Sequence, residues 1–120
     1  MKNLILFSDF TESDNSDFIN AVKRNFTDRK YKLTYIRSSS DKTRKYYNAT
    51  IENLRKYGEF NFVYFDSDEE FNEDLVEEVF ESSDIIFLSG GNTFYFLNNL
   101  KKRNLISKLK DFISRGGWLF

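Results

Sequence analysis

The hydrophobic positions fall into short continuous runs separated by longer periodic stretches, and the two kinds alternate along the chain. Residues Leu4 to Phe7 form an unbroken apolar run, followed by a polar, turn-like segment from Ser8 to Asn15. Phe18, Val22 and Phe26 then recur at helical spacing, which predicts a helix over Ser16 to Phe26. Leu33 to Ile36 reads as a second strand. Tyr47, Ile51 and Leu54 predict a helix over Thr43 to Tyr57, with Gly58 as its stop signal. Phe60 to Phe65 is a third strand. Phe71, Leu75, Val76, Val79 and Phe80 mark a helix over Asn72 to Glu81. Ile85 to Leu88 is a fourth strand, apolar throughout, and it runs into Ser89-Gly90-Gly91-Asn92. Two helices follow, Thr93 to Lys102 and Leu105 to Ser114. Gly116-Gly117 ends the second, and Trp118 to Phe120 begins a fifth strand.

Strands that are apolar along their whole length are buried on both faces, as in parallel sheets. Alternation of such strands with helices predicts right-handed βαβ crossovers. The expected fold is therefore one α/β domain over residues 1–120: a mostly parallel sheet of about five strands in a three-layer α/β/α arrangement. Sheets of this kind carry function in the loops at the carboxyl ends of their strands. Here those loops are Ser8-Asp9, Arg37-Ser38-Ser39, Asp66-Ser67-Asp68, Ser89-Gly90-Gly91-Asn92 and whatever follows Phe120.

Composition narrows the chemistry. With 40% hydrophobic and 18% aromatic residues, the chain has enough apolar matter for a core. Lys+Arg 18 against Asp+Glu 19 leaves a formal charge of -1, which gives no electrostatic case for nucleic acid or an anionic membrane. The absence of Cys excludes disulfides and thiol catalysis and fits a cytoplasmic protein. The opening apolar run is too short for a signal peptide or a membrane span. The absence of His means that a Ser-His-Asp device cannot be assembled from these residues alone.

The segment Asp84-Ile-Ile-Phe-Leu-Ser-Gly-Gly-Asn-Thr-Phe-Tyr-Phe-Leu97 resembles the strand-GGNTF-helix signature of peptidase E-like (aspartyl dipeptidase/cyanophycinase) serine peptidases. Ile113-Ser-Arg-Gly-Gly-Trp-Leu-Phe120 is similar to the helix end and short strand that follow in that family. Leu6-Phe7-Ser8 is similar to the family's opening. Tyr35-Ile36-Arg37-Ser38-Ser39 stands where the family often has I-P-T-A, without its Pro and Ala. The resemblance implies a flavodoxin-like or class I glutamine amidotransferase-like fold and serine-type hydrolysis of small peptides, typically beside an acidic residue. It also implies that a G-x-S-A-G turn bearing the nucleophile would come just beyond Phe120. The chain is then expected to cover the first part of the family's domain and to be inactive alone. Gly90 and Gly91 would form the oxyanion side of the site, with Asn92 donating to substrate. No cofactor or metal is implied.

From the residues alone, Gly90-Gly91-Asn92-Thr93 is equally a turn with a helix N-cap. Other constellations are weaker. Asp66, Asp68, Glu70 and Glu77 fall at calcium-loop spacing, but Phe71 occupies the position that needs Gly. The Ser8 to Ser13 loop lies where a flavin phosphate binds in flavodoxin-like proteins, yet Asp9 and Glu12 would repel it. Asp9, Asp66 and Ser89 stand at receiver-domain positions, so a degenerate receiver, a non-enzymatic signalling module, is the alternative reading. The seven Tyr and fourteen Phe read as core packing rather than a base-stacking platform. A parallel strand at a sheet edge leaves unpaired backbone groups, so a homodimer is an allowed partner state.

Overall fold

The computed structural model describes residues 3–4, 16–39, 41–90 and 92–120. Five parallel strands pair in the order β1-β5-β4-β2-β3. They are β1 (Asn3–Leu4), β2 (Tyr31–Arg37), β3 (Phe60–Asp66), β4 (Ile85–Leu88) and β5 (Trp118–Leu119). Five α-helices connect them: α1 (Ser16–Asn25), α2 (Lys45–Leu54), α3 (Val76–Ser82), α4 (Thr93–Lys102) and α5 (Leu105–Ser114). The parallel α/β architecture is the one expected. Of the predicted first strand and the loop after it, residues 5–15 lie outside the described residues.

Side-chain alternation along the strands divides the apolar residues between two cores. Leu33, Tyr35, Ile85, Phe87 and Phe120 face one side, where Val22 of α1, Phe26 just after it and Leu54 of α2 pack. Their neighbours Ile36, Ile86 and Leu119 face the other, against Val79 and Phe80 of α3, Phe96 and Leu100 of α4, and Leu109 and Phe112 of α5. The crossing direction decides the face. The connections β1 to β2 and β2 to β3 run one way across the sheet and place α1 and α2 together. Those from β3 to β4 and β4 to β5 run the other way, so right-handed crossovers put α3, α4 and α5 on the opposite face. One polar residue inside this sheet, Thr34, is satisfied by a 2.7 Å hydroxyl contact with Ser83.

Local chemistry moves two of the predicted boundaries. Arg44 adopts a left-handed conformation (φ 59), and the Asp41 carboxylate accepts from the Tyr46 N–H, so α2 starts at Lys45 rather than Thr43. Asn72 accepts from the Asp74 N–H and winds Glu73–Leu75 into a 3-10 turn, leaving α3 to begin at Val76. After α2, Gly58 is needed for space: a Cβ there would stand 2.9 Å from the Phe26 carbonyl oxygen. Among the described residues, the left-handed glycine is Gly116 (φ 94), which follows α5. Its N–H donates to the Ile113 carbonyl and that of Gly117 to the Phe112 carbonyl, the paired closure of a Schellman motif. The motif turns the chain sharply into β5.

Candidate active site

β4 and β5 lie side by side and parallel, with Ile85 opposite Trp118 and Ile86 opposite Leu119. The ladder continues past the end of β5. Phe120 N–H donates to the Ile86 carbonyl at 2.9 Å, and Leu88 N–H donates to the Phe120 carbonyl at 3.0 Å. The chain leaving β4 through Ser89 and Gly90 therefore stands beside the chain leaving β5.

β4's other neighbour is β2, with Ile36 opposite Leu88. The connection from β2 goes outward to β3, whereas that from β4 goes to β5 on the opposite side. This is the point where the strand order reverses, the usual crevice for ligands in open α/β sheets. Two buried serines meet there. Ser38 leaves β2 and Ser89 leaves β4. Ser38 N–H donates to Ser89 Oγ at 2.9 Å, and Ser89 N–H donates to the Ile36 carbonyl at 3.0 Å. Both hydroxyls reach the Gly90 carbonyl oxygen, Ser38 Oγ at 2.9 Å and Ser89 Oγ at 3.2 Å. From α4, Asn99 donates through Nδ2 to the Ser38 carbonyl at 3.0 Å.

Gly90 is exposed, and a Cβ added there would meet open space, so its surface is accessible to a ligand. Gly91 lies outside the described residues. Asn92 is the N-cap of α4: its Oδ1 accepts from the Tyr95 N–H at 3.0 Å. The N-cap reading of Asn92 thus holds, and capping through Oδ1 leaves the amide nitrogen as the donor end of the side chain. The first turn of α4 brings Tyr95 to the β3 exit, where the Asp68 carboxylate accepts from its hydroxyl and raises its pKa.

The receiver-like acid is held inward. Asp66 is 3% exposed, and its two carboxylate oxygens accept from the Asp68 and Glu70 N–H groups at 2.8 and 3.2 Å. The acids at calcium-loop spacing diverge, with Glu70 paired to Arg44 and Glu77 to Lys108. Among the described residues, no three His, Cys, Asp or Glu side chains are grouped to share a metal ion. No helix among them is long and apolar enough to cross a membrane.

Asn99 escaped the sequence reading. Its signal was an amide on the apolar stripe of α4, between Phe96 and Leu100, both buried.

The model of peptidase family S51 matches residues 4–120. A search of curated proteins found no match. Among solved structures, the crystal structure of a peptidase E candidate from Listeria monocytogenes EGD-e superposes with a TM-score of 0.77 at 24% identity. The match takes in 99% of this chain and 57% of that one. At that identity the likeness speaks for the fold, and the chain spans little more than half the length of that structure.

Proposed function

Because the chain belongs to peptidase family S51, a family of hydrolases, we propose that it supplies one wall of a serine-type site that cleaves small peptides beside acidic residues. The observation that carries this reading is the adjacency of the β4 and β5 exits. A nucleophilic serine works from a sharp turn at the carboxyl end of a strand, where its hydroxyl projects above the sheet. A turn of that kind following β5 would stand next to Gly90.

In the proposed reaction the serine oxygen attacks the scissile carbonyl while a histidine takes its proton. The carbonyl oxygen becomes an oxyanion, and backbone N–H groups around Gly90 and Gly91 stabilise it. The tetrahedral intermediate collapses when the histidine returns the proton to the leaving amine. Water then releases the acyl group by the same steps. Gly90 suits the wall because no side chain obstructs its open surface. The positive end of α4, capped by Asn92, adds a favourable field, and in this reading the Asn92 amide nitrogen donates to substrate.

Neither the nucleophile turn nor any histidine occurs among these 120 residues. The reading therefore expects no turnover from this polypeptide alone. Incubation with aspartyl dipeptides tests this, with and without a serine-directed phosphonylating reagent. Reagent-sensitive release of aspartate by the isolated chain would overturn the assignment of roles. The coding sequence directly after the Phe120 codon offers a second test: a Gly-x-Ser-x-Gly turn supports the reading, and another sequence without serine refutes it.

A further inference from the structure

We propose that β3 is a dimerisation edge, on which a second copy of this chain lays its own β3 antiparallel, across a two-fold axis at Phe62. The inference is independent of the peptidase reading, because it concerns the outer edge of the sheet and involves no chemistry.

The register shows which backbone groups of β3 are open. Tyr31 N–H donates to the Glu59 carbonyl at 3.1 Å, and Ser67 N–H donates to the Arg37 carbonyl at 3.3 Å. Tyr31 stands opposite Phe60 and Arg37 opposite Asp66, so the odd-numbered residues of β3 make the ladder to β2. The N–H and C=O groups of Phe60, Phe62 and Tyr64 therefore point away from β2. Among the described strands, none pairs on that side. The usual guards of an exposed edge are missing as well. The strand Phe-Asn-Phe-Val-Tyr-Phe-Asp contains no Lys, Arg, Pro or Gly, and its one charged residue, Asp66, is buried.

The edge is complementary to itself. Antiparallel pairing about Phe62 sets Phe62 opposite its own counterpart, and Phe60 opposite the partner's Tyr64 on either side. These are hydrogen-bonded pairs, in which facing residues exchange both N–H···O bonds, so the open groups are satisfied. All three rings lie on the face shared with α1 and α2, where Phe62 and Tyr64 are only partly buried. The pairing therefore stacks aromatic residues across the two strands. Charge agrees with the antiparallel sense. Exposed Arg55 and Lys56 lead into β3, whereas Asp68, Glu69 and Glu70 follow it. The basic approach of each copy meets the acidic exit of the other, at both ends of the ladder. A parallel arrangement would set like ends together.

Sedimentation equilibrium of the wild-type chain, with three variants, tests this. The sequence contains no Cys, so one introduced thiol reports a symmetric contact. Facing Cα atoms in a hydrogen-bonded antiparallel pair are about 5.5 Å apart, within disulfide reach. Phe62→Cys should therefore oxidise to a covalent dimer in a glutathione buffer. Lys102→Cys, exposed on α4, should stay monomeric under the same conditions. Phe62→Lys places like charges opposite each other and should weaken association by about tenfold or more. A wild type that is monomeric at its highest soluble concentration overturns the proposal. So does a dimer that Phe62→Lys leaves intact, since the copies would then meet on another face. So does Phe62→Cys crosslinking no faster than Lys102→Cys, and this comparison decides alone if Phe62→Lys does not fold. No readout involves turnover, so failure here leaves the peptidase reading untouched, and failure of that reading leaves the dimer untouched.

Discussion

Substituting Gly117 by alanine places a methyl group against one specific ring. The added Cβ would lie 2.4 Å from both Cε1 and Cζ of Phe112, closer than van der Waals contact permits. Phe112 is 2% exposed and packed in the core formed by α3, α4 and α5, so its ring has little room to retreat. Gly117 is also committed, because its N–H closes α5 onto the Phe112 carbonyl at 3.0 Å. Overpacking of this sort costs about 1–3 kcal/mol. For a chain of this size that is a loss of roughly 3–6 °C in melting temperature per kcal/mol. Thermal unfolding followed by circular dichroism measures it, in a cycle with Phe112→Leu. Trimming the ring removes the clash, so the cost of Gly117→Ala in the Phe112→Leu background should shrink to within about 0.5 kcal/mol. Two results would refute the steric argument: a Gly117→Ala protein that melts with the wild type, or a loss that persists undiminished once the ring has been trimmed.

Gly90→Ala is the counterpart: with open space at its Cβ, it should leave stability within about 0.5 kcal/mol of wild type in urea unfolding. Asn99→Leu deprives the buried Ser38 carbonyl of its donor and should cost about 1–3 kcal/mol, read as a lower urea midpoint at unchanged slope. The Tyr31 hydroxyl donates to Asp28 and lowers the Asp28 pKa below its usual 3.8. A depressed carboxylate stabilises the fold above its unfolded pKa and loses that contribution as pH falls through the folded value. The wild type should therefore lose melting temperature below about pH 4 more steeply than Asp28→Ala. β3 pairs only with β2 among the described strands and offers an edge to a second copy. Size-exclusion chromatography should show dimer at high concentration, and a strict monomer would remove that expectation.

Legibility from sequence tracked how local the determining interaction was. The β4 and α4–α5 region was read with its boundaries intact, because apolar runs and helical stripes of four to ten residues carry their own signal. Boundaries failed where a single side chain redirected the backbone. Asp41 and Arg44 displaced the start of α2, and Asn72 split off a 3-10 turn before α3. Gly58 was recognised as a stop, but its reason, the nearness of the Phe26 carbonyl, is a long-range contact that no local pattern reveals. The loop after β4 stood out through its two glycines. Its supports did not, since Ser38, Ser89 and Asn99 are up to 61 positions apart and meet only once strand order is known. Strand order itself, with β5 inserted between β4 and β1, is invisible to periodicity.

The account turns on whether the chains leaving β4 and β5 run together in solution. Trans-hydrogen-bond scalar couplings on the labelled chain observe this directly. The expected spectrum connects the Leu88 amide nitrogen to the Phe120 carbonyl carbon and the Phe120 amide nitrogen to that of Ile86. Couplings that instead tie Phe120 to another strand, or that follow an antiparallel pattern, would separate Gly90 from the proposed nucleophile position and contradict the site.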